Sequence, residues 1–248
     1  MFHWQRQGSG ADVVLVHGFL GSSKIFQPLT QALAECFRVT TIDLPGCGAS
    51  YDVAVPPTVE ALAGQVADTI RASGLERCAI LGHSLGAWVA LEIALQQPAL
   101  LQKMVLYGGS ADGICPQRFE TYENSIERLR AQGVKAFAAS LAAEWFRYGR
   151  DDPMYPLAVE AGSHSNEAAA IAHLASWNSW RTSHRLAEVE TSTLLVCGDC
   201  DRSTHPDLSI DMWRRLADAH LFILPNAGHA AHLEHSAAFN ATVMKFLQ

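Results

Sequence analysis

Short apolar runs alternate with helix-like segments along most of the chain. The runs consist mainly of Val, Ile and Leu without polar alternation, which is typical of strands covered on both faces. They are VVLV at 13–16, RVTTI at 38–42, CAIL at 78–81, MVLY at 104–107, TLLV at 193–196 and LFIL at 221–224. The segment FHWQR, ahead of a GSG turn, is expected to add an edge strand. The pattern therefore predicts a sheet of about seven strands.

Helical periodicity fills the intervals between these runs. One helical face is formed by Val59, Leu62, Val66 and Ile70; Thr58 is expected to begin this helix and Gly74 to end it. Because strands and helices alternate, right-handed crossovers would bring the strands into one sheet with helices on both sides. The predicted fold class is α/β, with a doubly wound, mostly parallel sheet.

The alternation stops between about 113 and 190. This stretch has no clear strand and is rich in Ala, Arg, Glu and aromatic residues. It is interpreted as several short helices inserted between two strands of the sheet. The expected organisation is a core of residues 1–112 and 191–248, with residues 113–190 forming a helical cap, or lid.

Composition narrows the classes of partner. Of the 248 residues, 49% are hydrophobic and 17% charged, as in globular proteins, and the net charge is -7. That charge argues against nucleic acid or an anionic membrane as a main partner. No signal peptide and no apolar run of about 20 residues is visible, so a cytoplasmic location is expected. A small-molecule substrate and a monomer or homodimer are the remaining expectations.

The six cysteines lie at irregular spacing, which does not indicate a disulfide framework. The segment CGDC at 197–200 matches a C-x-x-C pair, but no second Cys or His pair lies nearby at the spacing of zinc ligands. Neither a metal nor a cofactor is therefore predicted.

Ser84 is the candidate nucleophile. It lies in GHSLG, which follows the run CAIL and opens the helix-like segment LGAWVALEIALQQ. A serine at such a sharp strand-to-helix turn needs small neighbours, and Gly82 and Gly86 supply them. The turn would expose the hydroxyl at a helix N-terminus, where developing negative charge is stabilised.

A serine hydroxyl is a weak nucleophile and requires a neighbouring base. His229, in LPNAGHAAHLEHS after the final strand, is favoured because Gly228 lets the loop bend sharply before it. His232 and His235 are the alternatives, otherwise expected to be solvated or capping residues.

A carboxylate must orient that histidine and stabilise its charged form. Asp201 is favoured, since it lies three residues beyond Gly198 at the end of a strand. Asp199 and Asp112 remain alternatives, and Asp199 is expected to make local turn hydrogen bonds.

Two backbone N–H groups are needed to bind an oxyanion. Leu85, directly after the serine, offers one, and Phe19 in VHGFLGS offers the other. The order Ser, Asp, His, with each residue after a strand, would bring all of them to the carboxyl edge of the sheet, where open α/β sheets bind ligands.

Five segments together resemble the α/β-hydrolase fold superfamily over nearly the whole chain. They are HGFLGS at 17–22, DLPGCGAS at 43–50, GHSLG at 82–86, GDCD at 198–201 and NAGHAAHLE at 226–234. The resemblance implies Ser84 as nucleophile, Asp201 as acid, His229 as base, and Phe19 and Leu85 as oxyanion donors. The chain departs from its relatives at Cys47, where many carry histidine.

Within the superfamily the resemblances differ in what they imply. ERLRAQGVKAFAASLAAEWF is similar to the lid of 3-oxoadipate enol-lactonases and related carboxylic-ester hydrolases. HGFLGS and NAGHAAHLE resemble the cyclohexadiene-carboxylate synthase of menaquinone biosynthesis, but Trp88 stands where that family has an arginine for acidic substrate. The short N-terminus resembles carrier-protein methyl-ester esterases, which implies an acyl-carrier or thioester substrate.

The leading expectation is a cofactor-free serine hydrolase that cleaves a small carboxylic ester or lactone through an acyl-enzyme on Ser84. A synthase-like lyase, a thioester hydrolase and a ligand-binding receptor without turnover are the alternatives. The lid is expected to set specificity. Its candidate substrate-binding residues are Trp145, Arg147, Trp177 and Arg181.

Overall fold

Each apolar run of the sequence forms a strand of one sheet in the computed structural model, which describes all 248 residues. The strands are β1 Trp4–Gln7, β2 Ala11–Val16, β3 Phe37–Ile42, β4 Cys78–His83, β5 Leu101–Tyr107, β6 Thr193–Gly198 and β7 Ala219–Leu224. They lie in the order β1-β3-β2-β4-β5-β6-β7. Only β1 and β3 pair antiparallel. The prediction of a mostly parallel sheet of about seven strands, with FHWQR at its edge, is confirmed.

The sheet changes winding direction at β2. This strand pairs with β3 on one side and with β4 on the other. The chain therefore moves one way from β2 to β3 and then returns across β2 to reach β4. Loops that leave the carboxyl ends of β2 and β4 diverge at this point, and ligands of open α/β sheets bind in the crevice between such loops.

Nine α-helices connect or cover the strands. They are α1 Gln27–Leu33, α2 Val59–Ala72, α3 Leu85–Gln96, α4 Tyr122–Trp145, α5 Tyr155–Ser163, α6 Glu167–Trp177, α7 Pro206–Arg215, α8 Ala231–Glu234 and α9 Ser236–Leu247. Helix α1 packs against α9, and α2 packs against α3. The Thr58 side chain accepts a hydrogen bond from the Ala61 N–H at 3.2 Å, and Gly74 has a φ of 87° just after α2. Both predicted ends of this helix are confirmed.

Helix α3 is buried on all sides. Every residue from 85 to 94 is buried, including Glu92. The Glu92 carboxylate accepts hydrogen bonds from the Trp180 indole N–H at 2.7 Å and from the Gln96 amide at 3.0 Å, so its burial is compensated. This helix starts directly after Ser84 and holds that turn in a fixed position.

Residues 108–192, between β5 and β6, contain α4 to α6 and no strand; they are called the inserted segment below. Helix α4 is interrupted at Gly133, whose φ of 73° and ψ of 161° are not helical. The inserted segment is joined to the rest of the chain by backbone hydrogen bonds, such as Asn166 N–H to Gly46 O at 2.7 Å and Ala230 N–H to Trp145 O at 2.9 Å. None of the helices has the length and apolar character that crossing a membrane would require.

Candidate active site

Ser84 occupies a strained turn between β4 and α3. Its φ of 54° and ψ of -116° lie in a region that side-chain-bearing residues rarely adopt. The turn is held by a hydrogen bond from the Ser84 N–H to the Tyr107 carbonyl at 2.8 Å. A Cβ added to Gly82 would lie 2.0 Å from the Gly86 carbonyl oxygen, and one added to Gly86 would lie 2.1 Å from the Val16 carbonyl oxygen. The two glycines are therefore required by close backbone approach.

We expect Gly86→Ala to lower the free energy of unfolding by about 3 kcal/mol or more, because the new methyl group would collide with backbone of β2 that cannot move freely. The matched control is Gly64→Ala, in the middle of α2, where an added Cβ meets nothing within 4 Å. That variant is expected to gain about 0.5–1 kcal/mol. Urea unfolding of both variants measures the difference. Equal stability of the two would contradict the close approach.

The loop after β2 faces Ser84. A Cβ on Gly18 would lie 3.0 Å from the Ser84 Cβ, so the two loops are in contact. The buried His17 fixes this loop: its Nδ1–H donates to the Gly18 carbonyl at 2.7 Å, and its Nε2 accepts from the Leu44 N–H at 2.9 Å. The Phe19 N–H has no acceptor. Leu85 is the first residue of α3, so its N–H also lacks an intrahelical acceptor.

Asp201 and His229 form a buried pair, each 2% exposed. The His229 Nδ1 lies 2.7 Å from Asp201 Oδ2. Asp201 also accepts the Ser203 N–H at 2.8 Å, the Thr204 N–H at 3.0 Å and the Thr204 hydroxyl at 2.9 Å. Since these groups donate to the carboxylate, the shared proton belongs on Nδ1 of a neutral imidazole. The lone pair on Nε2 is then free to accept a proton.

The other two carboxylate candidates lie elsewhere. Asp112 accepts the N–H groups of Thr182 and Ser183, both at 3.0 Å, and so fixes the end of the inserted segment. The exposed Asp199 accepts the Ala227 N–H at 3.2 Å. Neither contacts His229. Of the three acidic residues considered, the structure brings Asp201 to the histidine.

A buried polar network holds the backbone of His229. The Tyr107 hydroxyl and the His83 Nε2 both donate to the His229 carbonyl, at 2.6 and 3.0 Å. The His232 N–H donates to the Tyr107 oxygen at 3.2 Å, and its Nε2 lies 3.3 Å from the Ile25 carbonyl. His232 was expected to be solvated or capping, and this is corrected, because burial against Tyr107 makes it part of the network.

His235 is exposed, as expected, and its Nε2 lies 3.1 Å from the Asn226 carbonyl. It makes no hydrogen bond to the buried pair. Of the three histidines in this loop, only His229 contacts a carboxylate inside the protein.

Buried histidines are expected to make the fold sensitive to acid. Burial lowers the pKa of His173 to about 4 and that of His232 to about 3, and it also lowers the pKa values of His17 and His83. An unfolded chain protonates its histidines near pH 6.5, where the native state does not. The free energy of unfolding therefore falls as the pH falls below 6.5, by up to about 1.4 kcal/mol per pH unit for each histidine.

Urea unfolding between pH 7 and pH 5 measures this loss in a range where most carboxylates keep their charge. His173→Gln is the informative variant, because an amide can still donate to the Pro45 carbonyl, as the His173 Nε2 does at 3.1 Å. The variant should lose stability less steeply with acid than the wild type. An identical slope would contradict the assignment.

Ser84 and His229 line one cavity of about 530 Å³, including its open mouth. Phe19 lies in its wall, and both Trp145 and Trp177 of the inserted segment contribute to the lining. No hydrogen bond joins the Ser84 hydroxyl to His229 in this structure. Such bonds are often long before substrate binds, and rotation about the serine χ1 moves the hydroxyl.

The structure separates the four predicted substrate-binding residues into two pairs. Trp145 and Trp177 line the cavity. Arg147 is exposed and donates to the Cys200 sulfur at 2.6 Å, whereas Arg181 is exposed and donates to the Trp180 carbonyl at 2.6 Å. Neither arginine lies in the cavity wall. The cation that does is Arg118, which the sequence analysis missed.

Trp88, at the position where the synthase family has an arginine, also lines the cavity. Its indole N–H donates to the Ser110 hydroxyl at 3.0 Å, and its ring packs against Trp177 and Trp180. The wall on this side of Ser84 is therefore aromatic and uncharged. No cluster of three His, Cys, Asp or Glu residues with the arrangement of a metal site occurs in the protein.

A comparison of the sequence with models of known protein families leads to the same kind of site as this geometry. Residues 13–242 match the model of the alpha/beta hydrolase family. The chain belongs to this family. The chain is similar to α/β hydrolases that are named for different substrates.

Two relatives and one solved structure illustrate this range. A 2-hydroxy-6-oxononadienedioate/2-hydroxy-6-oxononatrienedioate hydrolase of Pseudomonas putida is 29% identical, over 99% of this chain and 91% of that protein. A pimeloyl-(acyl-carrier protein) methyl ester esterase of Nitrosospira multiformis is 28% identical, over 96% of this chain and 95% of that protein. The enol-lactonase from Burkholderia xenovorans LB400 has the same fold, with a TM-score of 0.88, 20% identity, and coverage of 99% and 96%. The protein is a hydrolase by family.

Proposed function

We propose that this α/β hydrolase is a cofactor-free serine hydrolase that cleaves a small carboxylic ester or lactone through an acyl-enzyme on Ser84. The observation that carries the proposal is the buried Asp201–His229 pair at 2.7 Å, behind a strained serine that lines the same cavity as the imidazole. This arrangement supplies a nucleophile, a base and an acid that orients the base.

In the proposed reaction, Nε2 of His229 takes the proton of Ser84 as its oxygen attacks the substrate carbonyl. The N–H groups of Phe19 and Leu85 stabilise the oxyanion, and the neighbouring N-terminus of α3 adds its dipole. His229 then returns the proton to the leaving alkoxide, which gives the acyl-enzyme. Water, deprotonated by the same histidine, attacks the acyl group and releases the acid and Ser84.

Asp201 contributes by stabilising the imidazolium that forms in each half of the reaction. Its four accepted hydrogen bonds fix both carboxylate oxygens, so it holds the imidazole ring in one orientation. The carboxylate stays ionised throughout.

The inserted segment is proposed to act as the lid, over residues 113–190, on a core of residues 1–112 and 191–248. Trp145 and Trp177 support this role, because both belong to the inserted segment and line the cavity that holds Ser84. Together with Trp88 they provide an apolar surface for the organic part of a small substrate. The esterase among the relatives supports ester cleavage, and the aromatic Trp88 wall favours hydrolysis over the synthase reaction.

A fluorophosphonate probe followed by a series of p-nitrophenyl esters tests the proposal. The probe should modify Ser84, as located by mass spectrometry of the digested protein, and unmodified protein should turn over at least one ester repeatedly. The acyl-chain length of the ester with the highest kcat/KM would report the depth of the cavity. Labelling with a single burst and no further turnover would favour a receptor, and thioester turnover without ester turnover would favour the thioester hydrolase.

A further inference from the structure

The wall of the active-site cavity carries one formal positive charge and no carboxylate. Seventeen residues line the cavity; among them are one arginine, Arg118, and neither Asp nor Glu. Nine of the seventeen lining residues are hydrophobic. A single guanidinium in such a wall is a specific feature of the cavity, because charged groups are costly to keep away from water without a partner.

Arg118 has no ion-pair partner of its own. Its Nη1 donates to the carbonyl groups of Glu120 and Thr121, and its Nη2 donates to the Ser125 hydroxyl at 3.0 Å. Arg118 is half-buried, and its Nε–H has no acceptor within the protein. The nearby Glu120 carboxylate accepts from Ser125 at 2.6 Å and from Arg128 at 2.8 Å. Two guanidinium groups therefore lie near one carboxylate, which leaves one positive charge in excess.

Burial lowers the pKa of Arg118, which indicates that the guanidinium has lost part of its hydration, although it stays charged at neutral pH. The Arg118 guanidinium stacks on the rings of Phe119 at 4.5 Å and Tyr122 at 4.9 Å. These contacts add to the hydrogen bonds that position the guanidinium in the wall.

A second unpaired donor lies beside the same tyrosine. Trp177 is 4% exposed and packs edge-on against Tyr122, with ring centroids 5.2 Å apart. Its indole N–H is buried and has no hydrogen-bond acceptor. The Tyr122 hydroxyl, by contrast, donates to the Gly113 carbonyl and is already satisfied. Buried donors without acceptors are rare, because each costs the free energy of its lost hydration.

We propose that Arg118 and the Trp177 indole N–H form a carboxylate-binding subsite, so that the preferred substrate is an ester or lactone carrying a second, free carboxylate. This inference rests on the proposed function, since it names the substrate class of the same cavity. A carboxylate has two oxygens in one plane, which match the free edge of a guanidinium and leave lone pairs for the indole. It would neutralise the excess charge and satisfy both unpaired donors.

The kinetic test compares aryl monoesters of adipic, pimelic and suberic acids with the same chains ending in a primary carboxamide. At the best chain length, wild-type kcat/KM should be about 30-fold higher for the acid than for the amide, as expected for a charge-assisted hydrogen-bonded pair. Arg118→Met should remove most of this ratio, and Trp177→Phe should lower it by about tenfold. Arg118→Lys should retain part of it, because the charge remains without the planar fork.

Arg130→Met is the matched control, an exposed arginine of α4 outside the cavity, and it should keep the wild-type ratio. Thermal unfolding of each variant shows whether it is folded. The subsite is disproved if folded Arg118→Met and Trp177→Phe both keep the wild-type ratio of acid to amide kcat/KM at every chain length. It is also disproved if the wild type has equal kcat/KM for the acid and the amide.

Calorimetric titration of the free dicarboxylates into Ser84→Ala separates this inference from the proposed function. If the double variant Ser84→Ala/Arg118→Met binds the dicarboxylate at least tenfold more weakly than Ser84→Ala, the subsite is supported. This result would stand even if the wild type hydrolysed no ester, and only the hydrolase mechanism would then fail. Turnover of neutral esters, with no acid preference and no Arg118-dependent binding of dicarboxylates, would leave the hydrolase in place and overturn the subsite.

Discussion

Ser84→Ala is expected to lower kcat for ester hydrolysis by about 10⁵-fold or more, because removal of the nucleophile eliminates the acyl-enzyme path. The remaining rate would come from the oxyanion donors and from substrate binding, which the substitution leaves in place. KM should change much less than kcat. Steady-state kinetics with the best p-nitrophenyl ester, on protein purified in parallel with the wild type, measures both.

Ser203→Ala is the control for this change. Ser203 also lines the cavity and its hydroxyl has no hydrogen-bond partner, whereas its N–H, which donates to Asp201, is unaffected by the substitution. Its kcat should stay close to that of the wild type. If Ser84→Ala and Ser203→Ala had similar kcat, the hypothesis of an acyl-enzyme on Ser84 would be wrong.

The candidate residues that the structure brings to one edge of the sheet are those placed by local structure. Ser84, Asp201 and Phe19 each lie in a loop that directly follows an apolar run, and His229 lies five residues after the last one. Parallel strands place these loops at one edge of the sheet, so the topology brings them together once the strands are recognised. The choice between Asp201 and Asp199 depended on how the loop turns, and only the structure decided it.

Which arginine lies in the cavity wall is decided by tertiary packing. Arg147 and Arg181 have aromatic neighbours in the sequence, as Arg118 has in Phe119 and Tyr122, and nothing local tells which arginine reaches the cavity. The interruption of α4 at Gly133 changes the direction of the helix, so periodicity does not carry across it.

The network behind His229 was missed for a related reason. His83, Tyr107 and His232 come from β4, β5 and α8, and their contacts are long range. A hydrophobic pattern shows which positions are buried, but it does not show which buried polar groups meet. A histidine in an apolar stretch is therefore equally compatible with solvent exposure at a helix end and with burial in such a network.

Asp201→Asn is expected to lower kcat by about 10⁴-fold near neutral pH, with a small effect on folding, because the side chain keeps its size. The amide would be oriented by the N–H groups of Ser203 and Thr204, which donate to Oδ1 and so require an oxygen there. Its NH₂ would then lie at the position of Oδ2, facing Nδ1 of His229. That nitrogen would have to accept a hydrogen bond, and the proton would move to Nε2.

A histidine in this tautomer has no lone pair on Nε2 to take the proton of Ser84, so the loss is in kcat and not in substrate binding. Asp199→Asn is the control, because that carboxylate is exposed, accepts the Ala227 N–H and does not contact His229. Histidine ring NMR of the two variants would report the tautomer directly, with a switch expected only for Asp201→Asn. If Asp201→Asn kept wild-type kcat with its imidazole proton still on Nδ1, the Asp201–His229 bond would be structural, and the base that activates Ser84 would have to work without an acid behind it.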